Sequence, residues 1–159
     1  MNLAQFTNQI ATTGGGIYNI VRGEAPTSGY GASHADVWYG ITIPETWNSM
    51  TAEERGLFLK PHINQFIAQN GRQFEVSWDY MSAYTKDELI ILEMTRVFDN
   101  LYDAVLFGIV NYAEVVNDYS NGESIELPTG QTHGTMKQVL DYAKMTATAI
   151  TNHITHKVI

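Results

Sequence analysis

The amino-acid sequence predicts an α+β fold that is predominantly helical, with a small sheet and an N-terminal arm. Three observations support this: sequences typical of helix N-termini precede runs of apolar residues at helical spacing, two short segments are rich in β-branched and aromatic residues, and a glycine-rich stretch follows the first helix. The chain has 159 residues and no cysteine. That length suffices for a sizeable core without disulfides or a structural metal.

The N-terminal region is predicted to be a short helix followed by an irregular arm. Leu3, Phe6 and Ile10 recur at helical spacing within residues 2–12, and three consecutive glycines at 14–16 end the helix. Residues 17–35 are rich in Gly, Ser, Thr and Pro, with a short extended piece expected at 17–21. We therefore divide the chain into residues 1–35, a short helix with a Gly-rich arm, and residues 36–159, a single helix-rich globular domain.

Two segments are predicted to form the small sheet, with a helix between them. Residues 36–43 are rich in β-branched and aromatic side chains, and residues 73–80 alternate apolar with polar. Between them, Thr51 and Glu54 have the spacing of a capping box, which predicts a helix over about 51–70. Pro61 is expected to kink or interrupt this helix, and Asn70-Gly71 to end it.

A long central helix is predicted over about residues 86–119. It would begin at the capping-box spacing of Thr85 and Glu88, and no proline follows until after Tyr119. Its apolar face would consist of Ile90, Met94, Val97, Leu101, Val105, Ile109, Tyr112 and Val116. A helix of this length would span about 50 Å. A last helix, over about 135–156, is indicated by Thr135 and Gln138, and the helices are expected to pack together.

The charge distribution bears on the class of partner. The net charge is −8, and the nine Lys and Arg residues occur singly. Nucleic-acid binding depends on clustered positive charge, so we expect this chain not to bind nucleic acid directly. The longest apolar stretch, residues 104–110, is too short to span a bilayer, so no membrane association is expected. No secretory signal is recognisable, and a cytoplasmic or virion location is the expectation.

No candidate catalytic or metal-binding pattern is specific. His153 and His156 lie three residues apart on the last helix, and the carboxylates Glu93, Asp99, Asp103, Glu114 and Asp118 would line the long helix. Neither set matches a metal motif, and Arg96 offers Glu93 and Asp99 ordinary ion pairs. The run Ser33-His34-Ala35-Asp36 lacks the scaffold of a catalytic triad, and the triple glycine lacks a phosphate-loop motif. We therefore expect no catalytic, cofactor-binding or metal-binding residues, and we expect that the protein is not an enzyme.

Composition favours a structural protein that assembles with other chains. Only 16% of the residues are charged, against about 25% in an average protein, and the chain has nine tyrosines and three tryptophans. Interface cores are depleted in charge and enriched in aromatic residues. We predict that the chain forms a homo- or hetero-oligomer. Its partner would be protein, most simply other copies of the same chain, and the assembly could be a phage-like virion. The expected interface residues are Ile17, Tyr18, Ile20, Val21, Tyr30, Trp38, Tyr39 and Trp47.

Two other functions are open alternatives. One is an acidic interaction or inhibitor protein that occupies the basic site of a partner, which would require carboxylates concentrated on one face. The other is a small helical metal-dependent enzyme that uses carboxylates, which would require three or more acidic side chains converging in a pocket.

Overall fold

The structure is a computed structural model that describes residues 1–77, 79–128 and 135–158, without the side chains of Ala35 and of residues 153–158. The elements, in chain order, are α1 (Leu3–Thr13), β1 (Gly16–Tyr18), β2 (Tyr30–Thr42), a short 3₁₀ helix (Trp47–Ser49), α2 (Ala52–Ser77), β3 (Tyr80–Lys86), β4 (Leu89–Phe98), α3 (Leu101–Val110), β5 (Val115–Asp118), β6 (Glu123–Glu126) and α4 (Met136–Val158).

The fold is α+β, but the sheet is much larger than predicted. Within the described ranges, six strands form one antiparallel sheet in the order β1-β3-β4-β2-β5-β6. The prediction of a predominantly helical chain with a small sheet from residues 36–43 and 73–80 is therefore wrong. The first of those segments lies in a strand that begins earlier, at Tyr30. Of the second, residues 73–77 belong to α2, residue 78 lies outside the described residues, and Tyr80 begins β3.

The predicted long helix over 86–119 does not exist; the segment forms β4, α3 and β5. Its first part is a hairpin strand, in which Ile90, Leu92 and Met94 are buried at every second position. The apolar residues of 89–98 are so dense that they fit the helical and the strand period equally well. The periodicity alone could therefore not decide between the two.

The sequence taken for the start of that helix is the β3–β4 turn. Asp87 and Glu88 both have positive φ, 50° and 63°, as in a two-residue type I′ turn. Neither residue is a glycine, so the usual turn signature is absent. The Thr85 hydroxyl, expected to cap a helix, instead donates to the Gly14 carbonyl at 2.8 Å.

Helix α2 continues through the segment predicted as the second strand. The capping box at its start is present: the Thr51 N–H donates to a Glu54 carboxylate oxygen at 2.9 Å, and the Glu54 N–H donates to the Thr51 hydroxyl at 3.2 Å. The helix contains Pro61 and does not end at Gly71. Burial of Phe74 explains the continuation, since its ring packs against Phe66, two turns earlier on the same face, at 6.0 Å between centroids.

The chain comprises two compact units. Unit 1 consists of Met1–Pro26 and Val37–Thr95, and unit 2 of Thr27–Asp36 and Arg96–Ile159. The division at residue 35 stays a prediction, since compactness does not show which part folds alone. The N-terminal segment is less irregular than predicted, because residues 16–18 pair with 81–83 as strand β1. Helix α1 ends at Gly14, which has a φ of 81° in the left-handed region.

The core of unit 1 lies between the helices α1 and α2 and one face of the β3–β4 hairpin. Fully buried side chains from all of these elements make up that core: Phe6, Ile10, Leu59, Ile63, Phe66, Phe74, Met81, Ile90, Leu92 and Met94. The opposite face of the hairpin is left without this cover.

The core of unit 2 lies between α3 and α4 and the strands β2 and β5. Small side chains allow close packing there: a Cβ on Gly108 would lie 2.6 Å from a Leu127 methyl carbon. Other members are Ala32, Ala104, Val105, Ile109, Val116, Ala143 and Ala147. Helix α4 begins one residue after Thr135, whose hydroxyl accepts from the Gln138 N–H at 3.3 Å, as its sequence predicted.

Candidate interaction face

The candidate site is the outer face of the β3–β4 hairpin in unit 1, together with the adjoining part of β2. The register pairs Ser82 with Glu93, Tyr84 with Ile91 and Lys86 with Leu89. Because side chains alternate along a strand, these six lie on the face opposite the buried Met81, Leu92 and Met94.

One end of this face is covered by the turn at residues 19–24. The Arg22 guanidinium donates to the Tyr80 hydroxyl at 2.9 Å and forms an ion pair with Glu24 at 3.2 Å. The turn is held by Asn19, whose side-chain oxygen accepts from the Arg22 N–H at 2.8 Å. Only 6% of Tyr80 is exposed. This burial raises the pKa of the Tyr80 phenol above its usual range, and the Arg22 charge acts in the opposite direction.

The other end of the face is open. We call Trp38, Tyr84, Leu89 and Ile91 the open patch. Trp38 is 57% exposed and Tyr84 is 38% exposed, while Leu89 and Ile91 are half-buried. The residues are neighbours: Tyr84 and Ile91 face each other across the hairpin, and a Cβ on Gly40 would lie 3.2 Å from the Trp38 ring and 3.9 Å from a Leu89 methyl carbon.

Gly40 gives the Trp38 ring its position. Residues 38 and 40 lie on the same face of β2, and the absence of a side chain at 40 leaves room for the indole to lie over the strand. The Trp38 ring therefore packs against the strand on one side while its other side is exposed to solvent. Such pre-positioned aromatic side chains are typical anchors of protein interfaces.

Two charged side chains border the open patch. Lys86 is exposed at the turn end of the hairpin, beside Leu89. Glu93 is half-buried on the other side of Tyr84 and accepts a hydrogen bond from the Tyr84 hydroxyl at 3.0 Å. The face therefore carries an apolar centre with charged side chains at its two ends, and the exposed Asp87 and Glu88 lie beside Lys86 in the turn.

The predicted interface residues of the N-terminal arm lie in unit 1 or unit 2 of the same chain. Tyr18 is buried and stacks on Phe6 at 5.4 Å between ring centroids. Ile17, in β1, is half-buried, and Ile20 packs against the unit 1 core. Val21 is exposed and Tyr30 is half-buried in β2. That these residues also contact a partner stays a prediction.

Two of the three predicted aromatic interface residues beyond the arm take part in an internal cluster of unit 1. The Tyr39 hydroxyl lies 3.0 Å from Nδ1 of His62. The Arg55 guanidinium lies over the Trp47 ring at 4.7 Å, and its Nε donates to the Trp47 carbonyl at 2.9 Å. Both rings are half-buried by these contacts. Of the three, only Trp38 presents most of its surface to solvent.

The carboxylates expected on one long helix lie on separate elements. Glu93 is on β4, Asp99 just precedes α3 and Asp103 is in its first turn, while Glu114 and Asp118 belong to the β5 region. Over residues 1–77, 79–128 and 135–152, no three His, Asp or Glu side chains are close enough together to hold a metal ion. The side chains of His153 and His156 are outside the described part.

The other sequence motifs have structural roles. Ser33, His34 and Asp36 lie along β2, where alternation directs Ser33 and His34 to opposite faces, and His34 packs edge-on against Phe107 at 4.7 Å. In the triple glycine, a Cβ on Gly15 would lie 2.6 Å from the Ala83 carbonyl oxygen. Close approach of two backbones therefore explains that glycine, without a phosphate.

A groove of about 560 Å³ lies between α3 and α4 in unit 2. Its lining includes Tyr102, Lys144, Thr148 and Asn152. These groups can bind a polar molecule. Among the described side chains of this lining, none is a carboxylate, a histidine or a cysteine.

Comparisons of this chain with protein-family models, with curated proteins and with solved structures find no match. In the described portion of the chain, every helix is too short or too polar to cross a lipid bilayer. The geometry of the open patch is therefore the main guide to function. The predicted interface residues include Trp38 but not Leu89 and Ile91, which fall in the predicted helix over 86–119.

Proposed function

We propose that this chain is a structural subunit that assembles with copies of itself through the open patch. The observation that carries the proposal is the exposure of Trp38 on the sheet face, next to Tyr84, Leu89 and Ile91. Soluble proteins rarely leave a contiguous group of large apolar side chains uncovered unless the group binds something.

The magnitude of the available burial supports this function. A tryptophan side chain buries about 150–250 Å², so covering the exposed 57% of Trp38 removes on the order of 100 Å² from water. At about 25 cal/mol per Å², this contributes roughly 2–3 kcal/mol per subunit. An exposed aromatic anchor beside other apolar side chains is a common composition of an interface hot spot.

The charges around the patch favour assembly over the acidic-inhibitor alternative. An inhibitor of a basic site would need negative charge concentrated on its binding face. Here the centre of the face is apolar, and the charged side chains lie only at its border. No specific observation favours the metal-enzyme alternative, since the carboxylates expected along one helix lie on separate elements.

The test compares wild-type protein with Trp38→Ser by sedimentation equilibrium and light scattering. We expect the wild type to self-associate and the variant to associate at least ten-fold more weakly, since a hot-spot residue is lost. A mass far above that of a dimer would indicate a large closed assembly, such as a virion component. A small oligomer would support self-assembly but not a role as a virion component.

Leu57→Ser is the matched control. Leu57 is 67% exposed on α2, so this change also removes an exposed apolar side chain from unit 1. It should leave association unchanged. If wild type remains a monomer at every concentration, or if both variants behave alike, the proposed function is wrong. Thermal melts of all three proteins verify that they remain folded.

A further inference from the structure

The chain contains two Asn-Gly pairs, Asn70-Gly71 and Asn121-Gly122, and the structure places them in different surroundings. In such a pair, the backbone nitrogen of the glycine can attack Cγ of the preceding asparagine side chain. Glycine permits this attack better than any other residue, because it has no Cβ to hinder the approach and its backbone is flexible. Whether either pair reacts in the folded chain therefore depends on its conformation and hydrogen bonds.

The reaction needs only the chain itself and water. The glycine nitrogen forms a bond to Cγ and loses its proton, and the side-chain amide leaves as ammonia, so that a succinimide ring remains. Water then adds to either ring carbonyl and opens the ring. The products are aspartate and its β-linked isomer, and each carries a carboxylate where the asparagine had a neutral amide.

The Asn70-Gly71 pair is protected by helix α2, which continues to Ser77. Within a continuous helix, the Gly71 N–H donates to the carbonyl four residues earlier, and side chains point back toward the N-terminus. The Asn70 side chain follows this direction, since its amide donates to the Phe66 carbonyl at 2.9 Å. Its Cγ is therefore directed away from the Gly71 nitrogen, and the pair reacts only when this part of α2 unfolds.

The Asn121-Gly122 pair lies in the turn between β5 and β6, where Asp118 and Glu123 form the last pair of the ladder. Both residues of the Asn-Gly pair are exposed, and Gly122 has a φ of 66°. Among the described residues, none accepts a hydrogen bond from the Gly122 N–H. The attacking nitrogen is thus accessible, without the helical bond that holds Gly71.

We propose that Asn121 is a site of spontaneous deamidation through the Gly122 nitrogen, and that this modification loosens the β5–β6 hairpin of unit 2. The proposal is independent of assembly through the open patch, since it concerns another unit and another chemistry. It gives the chain a slow, irreversible change with age at one defined turn.

The loosening follows from the contacts of Asp118, which is only 3% exposed. Its carboxylate accepts from the Ser120 N–H at 3.0 Å and from the Asn121 side-chain amide at 2.8 Å. After deamidation, a second carboxylate takes the place of that amide, so a donor is lost and two negative charges come together. The β-linked product also lengthens the backbone of the turn. Both products therefore weaken the contacts that hold the hairpin closed.

Peptide mapping by mass spectrometry tests the site, with Asn70 as the internal control. The full chain is incubated at physiological temperature and mildly alkaline pH, and conversion is followed at both asparagines. We expect Asn121 to convert at least about ten-fold faster than Asn70 in the folded chain, because Asn70 must wait for local unfolding. In denaturant, where neither turn nor helix persists, the two should convert at similar rates.

Two results would overturn the proposed site. One is equal conversion of Asn70 and Asn121 in the folded chain. The other is protection of Asn121 as strong as that of Asn70, which would show that the hydrogen bond to Asp118 prevents the attack.

Asn121→Asp tests the consequence, because it reproduces the aspartate product. We expect faster amide hydrogen exchange in β5 and β6 than in wild type, and a lower thermal midpoint. Asn64→Asp, at an exposed position on α2, adds the same charge and should leave the exchange of these strands unchanged. If Asn121→Asp exchanges like wild type, or if both variants accelerate exchange equally, the modification does not loosen the hairpin.

Discussion

Tyr80 and Tyr84 lie four residues apart on the same face of β3, and their surroundings differ in a way that has functional consequences. Tyr80 is covered by the 19–24 turn and bonded to Arg22, whereas Tyr84 is partly exposed and bonded to Glu93. The same residue type thus closes one end of the face and borders the open patch at the other. The difference arises because the 19–24 turn packs over Tyr80 and not over Tyr84. The residues next to each tyrosine in the sequence do not specify this packing.

Burial of Tyr80 predicts a specific loss of stability at alkaline pH. The unfolded phenol ionises near pH 10, and the folded pKa is higher, so the unfolded chain releases its proton first as pH rises. The stabilisation is complete below about pH 10 and is lost as the pH rises through the folded pKa. Denaturation at several pH values should show that wild type loses more stability above pH 10 than Tyr80→Phe does.

Tyr84→Phe is the control for this measurement. It removes a tyrosine from the same strand but leaves Tyr80 and Arg22 in place, so the alkaline loss of stability that Tyr80 causes should remain. Parallel curves for wild type and Tyr80→Phe would show that Tyr80 does not titrate with a raised pKa.

At the scale of elements, the β3–β4 hairpin is the main difference between the predicted helical fold and the observed sheet. Its turn uses Asp87 and Glu88 at positive φ, a conformation that aspartate tolerates but that strains glutamate by about 1–2 kcal/mol. The hairpin forms nevertheless, because Ile90, Leu92 and Met94 complete the core of unit 1. Tertiary burial therefore offsets an unfavourable local conformation.

Glu88→Gly tests the hairpin against the helix that the sequence suggested. Glycine adopts the φ of 63° at position 88 freely, so the substitution should stabilise unit 1 by about 0.5–1 kcal/mol in chemical denaturation. The same substitution at Glu75, an exposed position inside α2, should cost about 1 kcal/mol. If both substitutions destabilise equally, residue 88 is helical and the hairpin is incorrect.

At the scale of the whole molecule, the N-terminal segment is part of a core. Phe6 and Ile10 of α1 are fully buried, and Gly14 accepts a hydrogen bond from Thr85 in the hairpin. Deleting residues 1–15 would expose the apolar surface that α1 covers on α2. We expect the truncated chain to lose its cooperative thermal transition and its near-ultraviolet circular dichroism.

The deletion also discriminates between core and arm. A truncated chain that melts cooperatively, but no longer assembles, would show that the segment serves mainly as an intersubunit arm.

The absence of nucleic-acid binding, expected from the net charge of −8, stays a prediction that a binding assay at physiological salt can check.

Several local features could be read from the sequence because their causes are local. The capping boxes at Thr51 and Thr135 form as expected, since each needs only side chains within one helical turn. The end of α1 at Gly14 follows from the left-handed conformation that glycine adopts easily. Trp38 was identified as an interface candidate from residue type and strand context.

Other features depended on contacts between distant residues. The apolar residues of 89–98 satisfy helical and strand spacing alike, and only pairing with residues 80–86 selects the strand. Phe74 extends α2 because Phe66 is available to pack against. The open patch combines β2 with the β3–β4 hairpin, so its four members could not be grouped from sequence.

The sequence by itself thus determined the starts of α2 and α4, the glycine that ends α1, the acidic and weakly charged character of the chain, and Trp38 as an interface candidate. The tertiary structure alone decided that residues 86–119 form a hairpin strand, a helix and another strand, and which apolar side chains face solvent. The physical reason is that capping and backbone preferences act within a few residues, whereas burial depends on partners far along the chain. Here burial outweighs the local turn strain at Glu88.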